Sequence, residues 1–172
     1  MTPEEFQRVY PLIAEWVART LRVHAPHARP VATAGFSRLP RCFGATMLAS
    51  AKFIPVADCP VPPLASWGLG QFADFQNMVP GGITYLDSYF VRTELTRMED
   101  LHFHELIHVI QWRLLGPERF LASYADGLEK FGYEDSPLEA MAYGAQNRFV
   151  GGEDFDAEAY VRLELGKAYP GV

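Results

Sequence analysis

Cysteine is scarce in this 172-residue chain, with two residues, Cys42 and Cys59. Neither belongs to a Cys-x-x-Cys pair, which excludes a thiolate zinc ribbon and a thioredoxin-like redox motif. Two thiols are too few for a disulfide scaffold. Reduced cysteines in a cytoplasmic protein are the expectation, with a single bridge left open. Long apolar runs are missing too: none reaches the ~18 residues of a membrane span. The start, Met1-Thr2-Pro3-Glu4-Glu5, is acidic and lacks the basic and apolar stretches of a secretory signal. Basic residues are the minority, 15 against 21 acidic, for a net charge of -6. That balance argues against non-specific attraction to nucleic acid or an anionic membrane, and neither is expected as a partner.

What is present is ordinary globular material, 49% apolar and 21% charged. No boundary or repeat divides it, so residues 1–172 read as one domain with one core. Thr2-Pro3-Glu4-Glu5 is a helix start, with a capping Thr, Pro in the first turn and acids near the positive end of the dipole. Phe6, Val9, Tyr10, Ile13, Trp16, Val17 and Leu21 then recur at helical spacing to about Val23. His24 and His27 follow in a proline-broken loop, where solvated side chains are the expectation. From Pro30 to Val91 glycine and proline are frequent. Pro30 to Phe36, Gly44 to Val56, Phe72 to Met78 and Ile83 to Arg92 read as strands, with Pro80-Gly81-Gly82 as the hairpin turn joining the last two. From Thr96 onward the pattern is helical, broken near Gly116-Pro117, Gly132 to Pro137 and Gly151-Gly152.

Chemistry concentrates in His104-Glu105-Leu106-Ile107-His108. On a helix, residues four apart share a face, so both imidazoles can meet one ion. Glu105 lies about 100° around the axis, placed to act on a water at that ion without ligating it. Leu101, Phe103, Leu106, Ile107, Val109, Ile110, Trp112, Leu114 and Leu115 surround the motif, so this helix is buried. Two histidines and a glutamate buried there need partners, and a metal supplies one. His102 extends the string to His-x-His-Glu-x-x-His, but it lies about 140° from the metal face and is expected, with Arg113, on a minor polar stripe. Gln111 does share that face.

A catalytic zinc site needs a third protein ligand. Gln111 and Leu114 stand where a metzincin would have Gly and His, which excludes that class. Downstream, Ser136-Pro137-Leu138-Glu139 opens another helix, and Glu139, Tyr143 and Gln146 fall on one of its faces. Two accounts compete for Glu139: zinc ligand, or the N3 member of a capping box with Ser136. Glu134, Asp135 and Asp126 are the other candidate ligands.

These residues resemble the gluzincin branch of the zincin metallopeptidases, and more narrowly small bacterial minimal gluzincins. There a hairpin with an Ile-Thr-type strand leads into a His-Glu-Leu-x-His-Val-x-Gln helix, followed by a Pro-Leu-Glu-x-x-Ala-Tyr helix. Gly82-Ile83-Thr84, His104 to Gln111 and Pro137 to Tyr143 match in that order, within about 81–148. The resemblance implies an α+β zincin-like fold: an N-terminal helix, a small mostly antiparallel sheet, the motif helix and a C-terminal helix bearing the ligand Glu. It implies a Zn2+ peptidase acting on a peptide or protein, with His104, His108 and Glu139 on the metal and Glu105 activating water. Tyr143 stands where thermolysin-like members carry an Asp that orients a ligand histidine. Tyr143, Tyr133 and Tyr85 are the candidate phenols for steadying an oxyanion. The strand from Ile83 to Val91 is the candidate rim on which extended substrate would pair. In so short a chain the cleft is expected to be shallow. A zinc-bound module without catalysis is the alternative, against which the Glu105 carboxylate speaks.

Overall fold

A computed structural model describes residues 1–169. It begins with α1 (Pro3–His24), capped as its first residues require. Glu5 N–H donates to Thr2 Oγ1 at 3.2 Å, and Thr2 N–H donates to Glu5 Oε2 at 2.8 Å. Phe6, Val9, Ile13 and Val17 form its buried stripe. A short strand β1 (Arg29–Pro30) is followed by two short helices, α2 (Leu39–Cys42) and α3 (Ala45–Ser50), and then by β2 (Lys52–Val56). After a loop with single 3-10 turns come α4 (Ala73–Gln76), β3 (Gly82–Tyr85) and β4 (Ser88–Arg92). The rest is helical: α5 (Glu99–Leu115), α6 (Pro117–Phe131), α7 (Pro137–Val150) and α8 (Ala157–Ala168). The α+β expectation holds.

The sheet order is β1-β2-β4-β3. Its two outer pairings are antiparallel and the central β2–β4 pairing is parallel, so the sheet is mixed. The strand assignments need correction in three places. Of the first run only Pro30 pairs, together with Arg29 just before it, because a 3-10 turn takes over at Val31. The second run is half helix, α3, before β2 begins. The third run is not a strand at all: Phe72 and Phe75, three apart in a helical turn, both face a cavity described below.

The hairpin is also placed differently. Pro80-Gly81-Gly82 leads into β3 instead of turning the chain. The turn is Leu86-Asp87, inside the run read as one strand, with Leu86 at φ 58°. Leucine rarely takes that conformation. Tertiary contacts hold it there: Lys52 N–H donates to Asp87 O at 2.9 Å, and Arg113 Nε donates to Asp87 Oδ1 at 2.5 Å.

α5 runs through the centre of the core, with Phe103, Leu106, Ile107 and Val109 fully buried. α5 and α7 lie antiparallel: Gln111 contacts Leu138, His108 contacts Glu139, and Phe103 stacks on Phe149 at 4.4 Å between centroids. This return of the chain brings the first turn of α7 to the histidines of α5. No described helix is long and apolar enough to cross a membrane. Both cysteines are free and buried.

Candidate metal centre

His104 and His108, one turn apart on α5, point their Nε2 atoms at each other, 3.0 Å apart. Glu139 Oε2 lies 3.3 Å from the first and 3.4 Å from the second. Among the described residues these three form a buried group whose ligand-type atoms all lie within 4.8 Å, and the group could hold a metal ion.

Hydrogen bonding around the group defines what it lacks. Gln111 Nε2 donates to Leu138 O at 2.9 Å, so its Oε1 is the atom that faces His108 Nδ1, at 2.8 Å. His108 Nδ1 must therefore be the protonated nitrogen. Likewise Gln146 Nε2 is directed at Asp100 Oδ2, 3.4 Å away, and its Oε1 accepts from His104 Nδ1 at 3.0 Å. Both Nε2 atoms are then left with lone pairs directed inward. Glu139 Oε1 accepts from Tyr124 OH at 2.7 Å, whereas its buried Oε2 has no hydrogen-bond partner. Three acceptors meet with no donor among them. A proton or a cation must fill the centre, and two imidazoles with a carboxylate are the donor set of a Zn2+-type ion.

The electrostatics agree. Burial opposes an ionised Glu139, but His108 and His104 outweigh it and hold the carboxyl well below its ordinary range. Burial equally opposes a charged His108, yet Glu139 overcomes it, with help from Glu105 and Gln111. Without a metal its pKa is pushed up to about 9. The pair thus holds a proton at the point where a cation could bind.

Glu105 is separate from this set. Its Oε2 accepts from Thr84 Oγ1 at 2.6 Å, and its other oxygen lies over Gly82. A Cβ on Gly82 would sit 2.5 Å from Glu105 Oε1, so any larger residue there would push the Glu105 carboxylate out of this position. Burial raises the pKa of Glu105; His104, His108 and the Thr84 hydrogen bond offset part of the rise. A buried carboxylate with a raised pKa beside a group that could hold a cation has the properties of a proton acceptor.

The other sequence candidates fall elsewhere. The Tyr143 ring lies 4.6 Å from that of His104, and its hydroxyl is hydrogen-bonded with Tyr133. Tyr85 donates its hydroxyl to Pro60 O at 2.8 Å. Asp126 pairs with Lys130, while Glu134 and Asp135 are exposed. His24 and His27 join no metal-type group among the described residues. The capping-box account of Glu139 is not met, since the Ser136 side chain makes no cap hydrogen bond. His102 was expected on a polar stripe but is fully buried: Nδ1 accepts from Tyr89 OH at 2.6 Å and Nε2 donates to Thr96 O at 3.1 Å.

Tyr124, Thr84 and Gly82 were missing from the candidate site residues. Gly82 and Thr84 stand beside Ile83 in the matched Gly-Ile-Thr run, which was the available signal. Tyr124 carried none. The site is also less open than expected: His104 and His108 are each 5% exposed. The group meets a cavity of about 100 Å³, partly open to solvent and walled by α1, the 61–80 segment, β3, α5 and α6. Comparisons with protein-family models, with curated proteins and with solved structures found no match to this chain.

Proposed function

We propose that the chain is a zinc-dependent hydrolase that cleaves peptide bonds, with His104, His108 and Glu139 holding the metal. The carrying observation is the buried cluster of three acceptors, with Glu139 Oε2 unpartnered, next to a Glu105 that belongs to none of them. Bound there, zinc would supply Lewis acidity toward a carbonyl oxygen and make water a stronger acid. Glu105 takes a proton from the attacking water and returns it to the leaving amine. Its raised pKa suits both steps, and Thr84 keeps the carboxylate aimed. Gln111 and Gln146 fix the tautomers of the two histidines, and Tyr124 orients Glu139. Tyr143, hydrogen-bonded with Tyr133 beside His104, is the phenol assigned to the developing oxyanion. β3 is an edge strand without a backbone partner on its outer side among the described residues. It could pair with an extended peptide.

The test is metal analysis of the purified chain, followed by peptide hydrolysis with and without Glu105→Gln. About one equivalent of zinc is expected in both proteins, with hydrolysis at least 100-fold slower in the variant. Less than half an equivalent of zinc in the parent sinks the metal centre. Undiminished hydrolysis by Glu105→Gln sinks the role of Glu105.

A further inference from the structure

Two amides set the tautomers of the cluster histidines, and the amides themselves are held in different ways. Gln111 Nε2 donates to Leu138 O at 2.9 Å and to Met141 Sδ at 3.4 Å. A main-chain carbonyl, which no side-chain change removes, therefore locks its orientation. Gln146 reaches from α7 to accept from His104 Nδ1 at 3.0 Å, and its Nε2 donates to Asp100 Oδ2 at 3.4 Å. Asp100 lies four residues before His104 on α5, so the two share a face of that helix and Gln146 spans the turn between them.

The two ends of an amide are alike in shape and opposite in hydrogen bonding. Turned over, Gln146 would present its NH2 group to His104 Nδ1. That nitrogen would then have to accept, and the ring proton would move to Nε2, the atom that faces His108 and Glu139. A protonated Nε2 cannot bind a cation. Gln146 is half-buried, so water can reach it, but water donates as readily as it accepts and favours neither orientation. A carboxylate only accepts. The neighbouring acid, Glu99, is occupied elsewhere: it takes the N–H groups of Arg38 and Leu39 at 2.7 and 2.9 Å.

On the metal-centre reading above, we infer that Asp100 is a positioning residue. Acting through Gln146, it decides which ring nitrogen His104 offers to the ion. The ordinary role of an acid in the first turn of a helix is to face the positive end of the dipole. Charge alone serves that role. The positioning role needs an oxygen that accepts, and it vanishes once residue 146 has two accepting ends.

The test measures zinc affinity of the full chain by competition with a chelator, and follows solvent exchange of the His104 Nδ1 proton by NMR in the zinc-loaded protein. Asp100→Ala is expected to bind zinc about 10-fold more weakly, the lower end of what outer partners of a metal ligand cost. The same variant should exchange the His104 proton faster. Asp100→Asn keeps an accepting oxygen and should stay within about 3-fold of the parent in affinity. Gln146→Glu gives residue 146 two accepting ends, and in that background Asp100→Ala should cause no further loss. If Gln146→Glu does not fold, the contrast between Asp100→Ala and Asp100→Asn decides alone. Parental affinity and exchange in Asp100→Ala overturn the positioning role and leave the metal centre standing. So does a loss as large in Asp100→Asn as in Asp100→Ala, which would make Asp100 a charge and not an acceptor. A loss of the same size in the Gln146→Glu background has that consequence too, because Asp100 would then act without the amide. A parent chain that binds no zinc overturns both the positioning role and the metal centre.

Discussion

Helix α5 carries three histidines, and its two sides treat them in opposite ways. On one side His102 is fully buried and fully satisfied, with one ring nitrogen accepting from Tyr89 and the other donating to Thr96. Phe36, Phe53 and Tyr89 pack around its ring. Burial drives its pKa down to about 4, so it is a neutral core residue. On the other side His104 and His108 are nearly as buried, yet each has a nitrogen without a donor, and both face Glu139 Oε2. Burial alone therefore does not distinguish a structural histidine from a ligand. What distinguishes them is whether the second nitrogen is satisfied by the protein or left pointing at other acceptors. A complete set of hydrogen bonds marks a core position, and a convergent deficit marks a cation site.

The strongest way to break this comparison is to take the charge out of the deficient side. Glu139→Gln keeps the shape but replaces the carboxylate with an amide, and zinc affinity is expected to fall by more than about 100-fold, as measured by competition with a chelator. Tyr124→Phe removes only the hydroxyl that orients Glu139, so its loss should be smaller, about 10- to 100-fold. If both variants hold zinc as tightly as the parent, Glu139 is not a ligand and the contrast between the two sides loses its basis.

Much of the deficient side was legible in sequence, and the reason is spacing. His104, Glu105 and His108 are related by the helix alone, and the run of apolar neighbours announced burial. Glu139 followed from a second helix start and from the resemblance. The rest depends on packing between distant segments. Gly82 and Thr84 matter because β3 lies against α5, which needs the hairpin to turn at Leu86. Asp87 is a weak signal there without the Asn-Gly or Gly-Gly pair that tight hairpins favour, and Lys52 and Arg113 hold the turn from elsewhere. Tyr124 and the cavity walls come from α6, α1 and the 61–80 segment, whose meeting has no local signature. His102 misled for the same reason: helical phase correctly separated it from the metal face, but the sheet that buries it is assembled by a parallel β2–β4 crossover.

The comparison sharpens with pH, because the two kinds of histidine are shifted in opposite directions. In the metal-free chain His102 has a folded pKa, about 4, below its unfolded value of 6.5. As pH falls below 6.5 the unfolded chain takes up the proton first, so stability is present above 6.5 and lost toward 4. That loss is on the order of 3 kcal/mol. His108 has a folded pKa, about 9, above 6.5. Its contribution is full below 6.5 and lost as pH rises through 9. The His102 ring is expected to titrate near 4 and the His108 ring near 9 by histidine-selective NMR in chelator. Melting temperatures should fall on both sides of pH 6.5. Adding zinc should abolish the alkaline loss, since the metal replaces the trapped proton, and leave His102 unchanged. Matching titration curves for the two rings would erase the distinction between the two sides of α5.

The smallest effect is expected at Ser136, where the competing account of Glu139 can be tested without touching the metal cluster. If Ser136 and Glu139 formed a capping box, Ser136→Ala would remove a hydrogen bond to the backbone and cost about 0.5–2 kcal/mol. In the structure the Ser136 hydroxyl is buried and has no partner, while the Glu139 carboxylate is turned toward the two histidines. Deleting an unsatisfied buried hydroxyl relieves a desolvation cost and leaves a void of one oxygen atom, so the two effects nearly cancel. Space around it is already tight: a Cβ on Gly127 would lie 3.0 Å from Ser136 Cβ, which limits any rearrangement. Ser136→Ala is therefore expected to melt within about 2 °C of the parent, which for a chain of this size corresponds to roughly half a kcal/mol. Its zinc affinity should be unchanged. A fall of 4 °C or more would mean that Ser136 caps α7 in solution. With unchanged zinc affinity in Glu139→Gln, that result would make Glu139 the other half of the cap and move the search for the third ligand to Glu134, Asp135 or Asp126.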